Sequence, residues 1–164
     1  MPASDWFDIT LPLHEGVPHW PEDPPFELRR LAALGAGDEL NLSSLSLSAH
    51  CGTHVDAPLH FVADGASVAE LPLELFMGPA RIIAVEDDGG FIRRDALEAA
   101  GIQPGERLLL RTANSERSEQ WARGCFLHDF VALDAESASY LAAKQPRCLG
   151  VDYLSVSRLD DDAG

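Results

Sequence analysis

Basic side chains are scarce in this sequence. Only twelve of its 164 residues are Lys or Arg, against 27 Asp and Glu, and the twelve are scattered. Phosphate-rich partners are held by clustered Lys and Arg, so a formal charge of −15 argues against nucleic acid and against an anionic membrane surface. Cysteine is also sparse. Cys51, Cys125 and Cys148 make an odd set with no C-x-x-C pair, which fits buried thiols in a reducing, cytoplasmic setting better than a disulfide framework. No run approaches the ~20 apolar residues of a membrane span. Residues 1–8 lack the basic start and apolar stretch of a signal peptide. Internal repeats and low-complexity tracts are missing too, so solenoids and disordered linkers drop out.

What remains is the composition of a globular protein: 46% apolar and 24% charged residues, in a length that suits one domain with a real core. The negative field would also draw divalent cations toward any cluster of ligands. One such cluster stands out. Between Ser48 and Phe61 lie three of the six histidines, His50, His54 and His60, together with Asp56. Imidazole and carboxylate are the ligand set that suits Zn²⁺, or the more oxygen-loving Mn²⁺.

The spacing carries geometry. Gly52, the β-branched Thr53 and Val55, and Pro58 disfavour a helix, so His50 and His54 are not stacked one turn apart. In an extended chain the four even-numbered residues face one way, but His50 and His60 would be ~33 Å apart. A shared site therefore requires the chain to fold back, and Gly52 and Pro58 are the positions that permit turns. Cys51, odd-numbered, is expected to point away from the ligand face as small core filler.

Along the chain, residues 6–13 read as a short strand and 17–26 as a rigid proline-rich loop. That loop carries His19 and Trp20, either to wall a pocket for a planar substrate or simply to pack on the core. Residues 26–31 suggest a strand and 35–38 a turn. Residues 40–49 alternate as a half-buried strand whose phase slips at Ser43 and Ser44, predicting a β-bulge that delivers His50 at its end. Further on come a strand over 80–86, a helix over 93–100 closed by Gly101, a strand over 107–112, a helix from Ala135 to Ala143 capped by Asp134, and a strand over 147–151. Such alternation predicts an α/β domain with a partly parallel sheet. Loops leaving the C-terminal ends of such strands make Asn114, His128 and Asp152 candidates for site lining. After Ser157 the chain runs into an acidic end, Asp160-Asp-Asp-Ala-Gly164.

The run His50-Cys-Gly-Thr-His-Val-Asp-Ala-Pro-Leu-His-Phe61 closely resembles the motif of the cyclase-like metal-dependent hydrolase family, which includes bacterial kynurenine formamidases and isatin hydrolases. Residues 14–26, with their Trp-Pro pair, and residues 149–156 resemble other stretches of that family in the same order. The resemblance implies a mixed sheet flanked by helices, the family's swivelling β/β/α-type domain. It implies that His50, His54 and Asp56 bind one or two divalent ions, that His60 is the general acid/base, and that Trp20 contacts substrate. It further implies hydrolysis of a small amide, arylformamidase-like (N-formylkynurenine to kynurenine and formate) or of a cyclic amide, by a homodimer or tetramer. The family's further His and Glu ligands have no counterpart before Gly164, so the expectation includes a C-terminally incomplete domain. The alternative is a catalytically silent metal-binding or interaction protein, or a truncated module of the same family.

Overall fold

The computed structural model describes residues 6–121 and 123–158, so both ends of the sequence, 1–5 and 159–164 with the acidic run, lie outside the described residues. The described chain forms two compact units. The smaller comprises the residues up to 56 together with 120–126, and the larger comprises 57–119 and the chain from 127 onward.

In the smaller unit, β1 (Glu27–Ala32) and β2 (Leu42–Ser46) pair antiparallel, with Leu28 opposite Leu45 and Arg29 opposite Ser44. The bulge lies on the other strand from the one predicted. Ser43 and Ser44 pair regularly with Arg30 and Arg29, and the register shifts between Arg30 and Ala32. The reason lies in the connecting turn. Asp38 accepts from the Ala33 N–H at 2.7 Å and Asn41 from the Leu34 N–H at 3.1 Å, and Gly37 closes the turn at φ 95°. The extra residue is taken up as β1 enters that side-chain-bonded turn. Strand β2 is not half-buried as the alternation over 40–49 suggested: Leu42 and Leu45 are 50–60% exposed, and Leu28 on β1 is 50% exposed. Residues 6–13 form no strand. The Thr10 N–H goes to the Asp8 carboxylate and the Leu11 N–H to the Thr53 hydroxyl, each at 2.9 Å, which removes donors a ladder would need. The small core here is Val17, Phe26 and Cys51.

The larger unit has the predicted alternation. Strands β3 (Arg81–Ala84), β6 (Arg107–Arg111) and β8 (Cys148–Val151) form a parallel sheet in the order β3-β6-β8, and helices α1 (Arg94–Ala99) and α3 (Ala135–Lys144) lie in the crossovers. A second small sheet, β4 (Asp87–Asp88), β5 (Phe91–Ile92) and β7 (Ala132–Leu133), pairs antiparallel and then parallel. A one-turn helix, α2 (Ser118–Trp121), runs from the larger unit into residues 120 and 121 of the smaller. The architecture is thus mixed α/β. Asp134 caps α3 by accepting from the Ser137 N–H at 2.7 Å, while the buried Ser137 hydroxyl donates to the Ile92 carbonyl. Ile83, Leu97, Leu108, Leu110 and Leu141 join one core, each side chain contributing roughly 1.5–3 kcal/mol by leaving water.

Candidate metal centre

Strand β2 ends at Ser46, and His50 sits beyond it, in a turn closed by the Cys51 N–H donating to the Ser48 carbonyl at 3.1 Å. A turn, rather than a strand end, presents the first ligand candidate. Gly52 then adopts a left-handed conformation, φ 64°, which an L side chain rarely tolerates. This bend reverses the chain so that three of the predicted residues meet within the smaller unit. His50 Nδ1 lies 2.7 Å from Asp56 Oδ1, and His54 Nε2 lies 3.5 Å from the same oxygen. The two imidazole rings stand edge to face with centroids 5.1 Å apart.

The hydrogen bonding fixes which nitrogen carries the lone pair. His54 Nδ1 is 2.9 Å from the Gly52 carbonyl, an acceptor only, so Nδ1 bears the proton and Nε2 the lone pair in the neutral ring. That lone pair faces Asp56 Oδ1, acceptor against acceptor, with the His54 side chain only 12% exposed. Two acceptors so placed repel unless a proton or a cation lies between them. His50 Nδ1 lies 2.7 Å from the same oxygen, so one carboxylate oxygen faces a nitrogen of each imidazole. A carboxylate set between two imidazoles, one of them with its other nitrogen held by a backbone carbonyl, supplies the ligand types of a first-row divalent metal site. The donor set fits such an ion.

Local turns and packing place the remaining candidates. His60 closes a short 3-10 turn, Pro58–His60, in the larger unit, and its ring lies 4.2 Å from that of Phe61. Gly65 makes that turn possible: a Cβ there would stand 2.6 Å from the Pro58 carbonyl carbon, and the Leu59 N–H donates to the Ala66 carbonyl across the close approach. Trp20 is half-buried in the proline-rich loop and meets Phe126 edge to face, centroids 5.2 Å apart. Sequence reasoning missed Phe126, because nothing local ties position 126 to position 20. His19 turns its Nδ1 to the Val17 carbonyl at 3.2 Å. Cys51 is 4% exposed; burial, with the Asp23 charge second, pushes its thiol up and keeps it protonated.

Asn114 and Asp152, predicted to line a site, instead build the scaffold. Asn114 is fully buried, and its amide binds both backbone groups of Val131: the nitrogen donates to the carbonyl at 3.0 Å and the oxygen accepts from the N–H at 2.7 Å. Asp152 accepts four hydrogen bonds, from the N–H and hydroxyl of Thr112 and of Ser115, at 2.6–3.1 Å. These bonds knot the ends of β6 and β8 together. The exposed His128 neighbours Leu127, whose N–H donates to the Tyr153 hydroxyl at 2.7 Å. No described helix is long and apolar enough to cross a membrane.

Comparison with known proteins gives a consistent picture. A family profile described as "Putative cyclase" matches residues 7–158. The kynurenine formamidase of Bacillus cereus is 38% identical over 161 residues, a span of 98% of this chain and 74% of that protein. Among solved structures, a predicted metal-dependent hydrolase from Bacillus stearothermophilus superposes with a TM-score of 0.76 at 29% identity, covering 96% of this chain and 73% of that one. Isatin hydrolase A from Ralstonia solanacearum shares the fold, with a TM-score of 0.70 at 24% identity over 93% of this chain and 68% of that one.

Proposed function

The chain belongs to the cyclase family, and on that footing we propose that it is a metal-dependent amidohydrolase acting on a small amide, arylformamidase-like in its chemistry. One observation supports this most: His54, its tautomer set by the Gly52 carbonyl, aims a lone pair at Asp56 across 3.5 Å. His50, His54 and Asp56 would hold one or two divalent ions, Zn²⁺ first and Mn²⁺ second. When bound, such an ion supplies Lewis-acid polarisation of a carbonyl and activation of water near neutral pH.

The chain's own residues divide the remaining work. The Gly52 carbonyl orients His54 by accepting its Nδ1 proton. His60 is assigned the proton transfer to the leaving amine, a task suited to an imidazole. Trp20, backed by Phe126, offers an aromatic face to a planar acyl-amide substrate such as N-formylkynurenine. We extend the reading to a cytoplasmic homo-oligomer, dimer or tetramer. It is supported by the half-exposed Leu28 and Leu45 facing each other across β1 and β2, an apolar pair of the kind a second subunit covers.

The test is hydrolysis of N-formylkynurenine and of a panel of small linear and cyclic amides, before and after EDTA and after zinc or manganese is returned. Turnover that disappears on chelation and returns with metal is expected. Full activity in metal-free protein would remove the proposal. Stoichiometric, tightly held metal with no turnover on any amide would instead favour a catalytically silent metal-binding protein.

A further inference from the structure

Two loops of the smaller unit that sequence reading treats separately are joined by a short hydrogen-bonded chain. The Ser48 hydroxyl donates to Asp23 Oδ2 at 2.6 Å, and the same hydroxyl oxygen accepts from the His50 N–H at 3.2 Å. Two backbone bonds run alongside, from the Ser48 N–H to the Pro24 carbonyl at 3.3 Å and from the Gly52 N–H to the Pro18 carbonyl at 3.2 Å. Underneath, Val17 from one loop and Cys51 from the other share a small buried core with Phe26. Asp23 lies three residues beyond Trp20, in a turn closed by its own N–H donating to the Trp20 carbonyl at 3.0 Å.

We propose that Asp23 and Ser48 are positioning residues that couple the loop carrying Trp20 to the turn carrying His50, so that metal occupancy and the order of the substrate loop reinforce each other. The inference rests on the metal-site reading above. Its physical basis is that neither segment has regular secondary structure to hold it. Position and orientation must therefore come from specific side-chain bonds, and a charge-assisted bond of 2.6 Å is among the stronger ones in the unit. A serine that donates forward to a carboxylate and accepts backward from the ligand's own N–H transmits displacement in both directions. Coupling of this kind is reciprocal: whatever the metal does to the Trp20 loop, ordering of that loop does to metal affinity.

The experiment uses the full chain, freed of metal, with Trp6 and Trp121 replaced by Phe so that Trp20 alone fluoresces. Zinc affinity is read by competition with a chelating dye, Trp20 anisotropy during the same titration, and KM and kcat on N-formylkynurenine separately. In the parent, zinc should raise Trp20 anisotropy. Ser48→Ala should weaken zinc binding about tenfold, reduce the Trp20 response and raise KM more than it lowers kcat. Ser48→Thr, which keeps a hydroxyl, should restore all three. Asp23→Ala should reproduce Ser48→Ala, and Asp23→Asn, which keeps an acceptor, should lie nearer the parent. Melting curves identify any variant that has lost its fold, and the Asp23 pair then carries the comparison. Zinc affinity and Trp20 response unchanged in both alanine variants would overturn the coupling while leaving the metal site standing. A parent chain that binds no zinc would overturn both.

Discussion

An alanine at position 52 perturbs the candidate site through the backbone alone, which makes the size of its effect calculable. Gly52 sits at φ 64°, and an L residue in that conformation costs roughly 1–2 kcal/mol. The new Cβ would stand 3.2 Å from Leu13 Cδ2 and 3.5 Å from Val17 Cγ2. These are side-chain tips that can give a few tenths of an ångström, so conformational strain rather than crowding decides the outcome. For a chain of this length that strain corresponds to a melting temperature lower by about 2–8 °C. The functional consequence is separate. Gly52 offers its carbonyl to His54 Nδ1 and its N–H to the Pro18 carbonyl, so relaxing the left-handed turn rotates the group that fixes the His54 tautomer. Lost support of that kind weakens metal binding by about 10–100-fold. Differential scanning calorimetry and zinc titration of Gly52→Ala would measure the two effects side by side. Unchanged melting and unchanged zinc affinity would refute the claim that the left-handed turn holds the ligands together.

Three further substitutions probe different links. His60→Ala should abolish turnover while leaving metal content near that of the parent; loss of the metal, read by atomic emission, would make His60 a ligand rather than a proton carrier. Asn114→Ala strands both backbone groups of a buried Val131 and should cost about 2–6 kcal/mol in urea unfolding, at about 1–3 kcal/mol per orphaned group; a variant as stable as the parent would deny it the scaffold role. Burial pushes the Tyr153 phenol up, its bond from the Leu127 N–H notwithstanding. The unfolded chain therefore loses that proton first, and the stabilisation present below the ordinary phenol pKa of ~10 is lost as pH rises through the folded value. Stability measured from neutral to alkaline pH should fall more steeply in the parent than in Tyr153→Phe, and parallel curves would contradict the assignment.

How much of this was legible in the sequence differs by kind of signal. The parallel sheet and its two helices followed from local pattern, because apolar runs such as Leu108-Leu-Leu110 and an N-cap such as Asp134 act within one turn or strand of themselves. The fold-back that groups His50, His54 and Asp56 was also readable, since Gly52 and Pro58 permit turns and Gly52 takes up the left-handed one. Long-range pairings were not. Whether Leu31 or Ser43 carries the bulge depends on how Asp38 and Asn41 tie the intervening turn, and the two-residue strands β5 and β7 have no period to detect. Residues 6–13 have strand-like composition, but their donors are taken by Asp8 and Thr53. Asn114 looked like a site residue because it follows a strand; only its pairing with Val131, seventeen positions away, reveals a scaffold role.

The central claim is that His50, His54 and Asp56 hold the divalent ion without a thiolate. Zinc K-edge absorption of the zinc-loaded full chain tests it most directly. The bound zinc should show nitrogen and oxygen neighbours at about 2.0–2.2 Å, with the outer-shell scattering of at least two imidazoles and no sulfur. A sulfur neighbour at about 2.3 Å would bring Cys51 or another cysteine into the site and contradict the account.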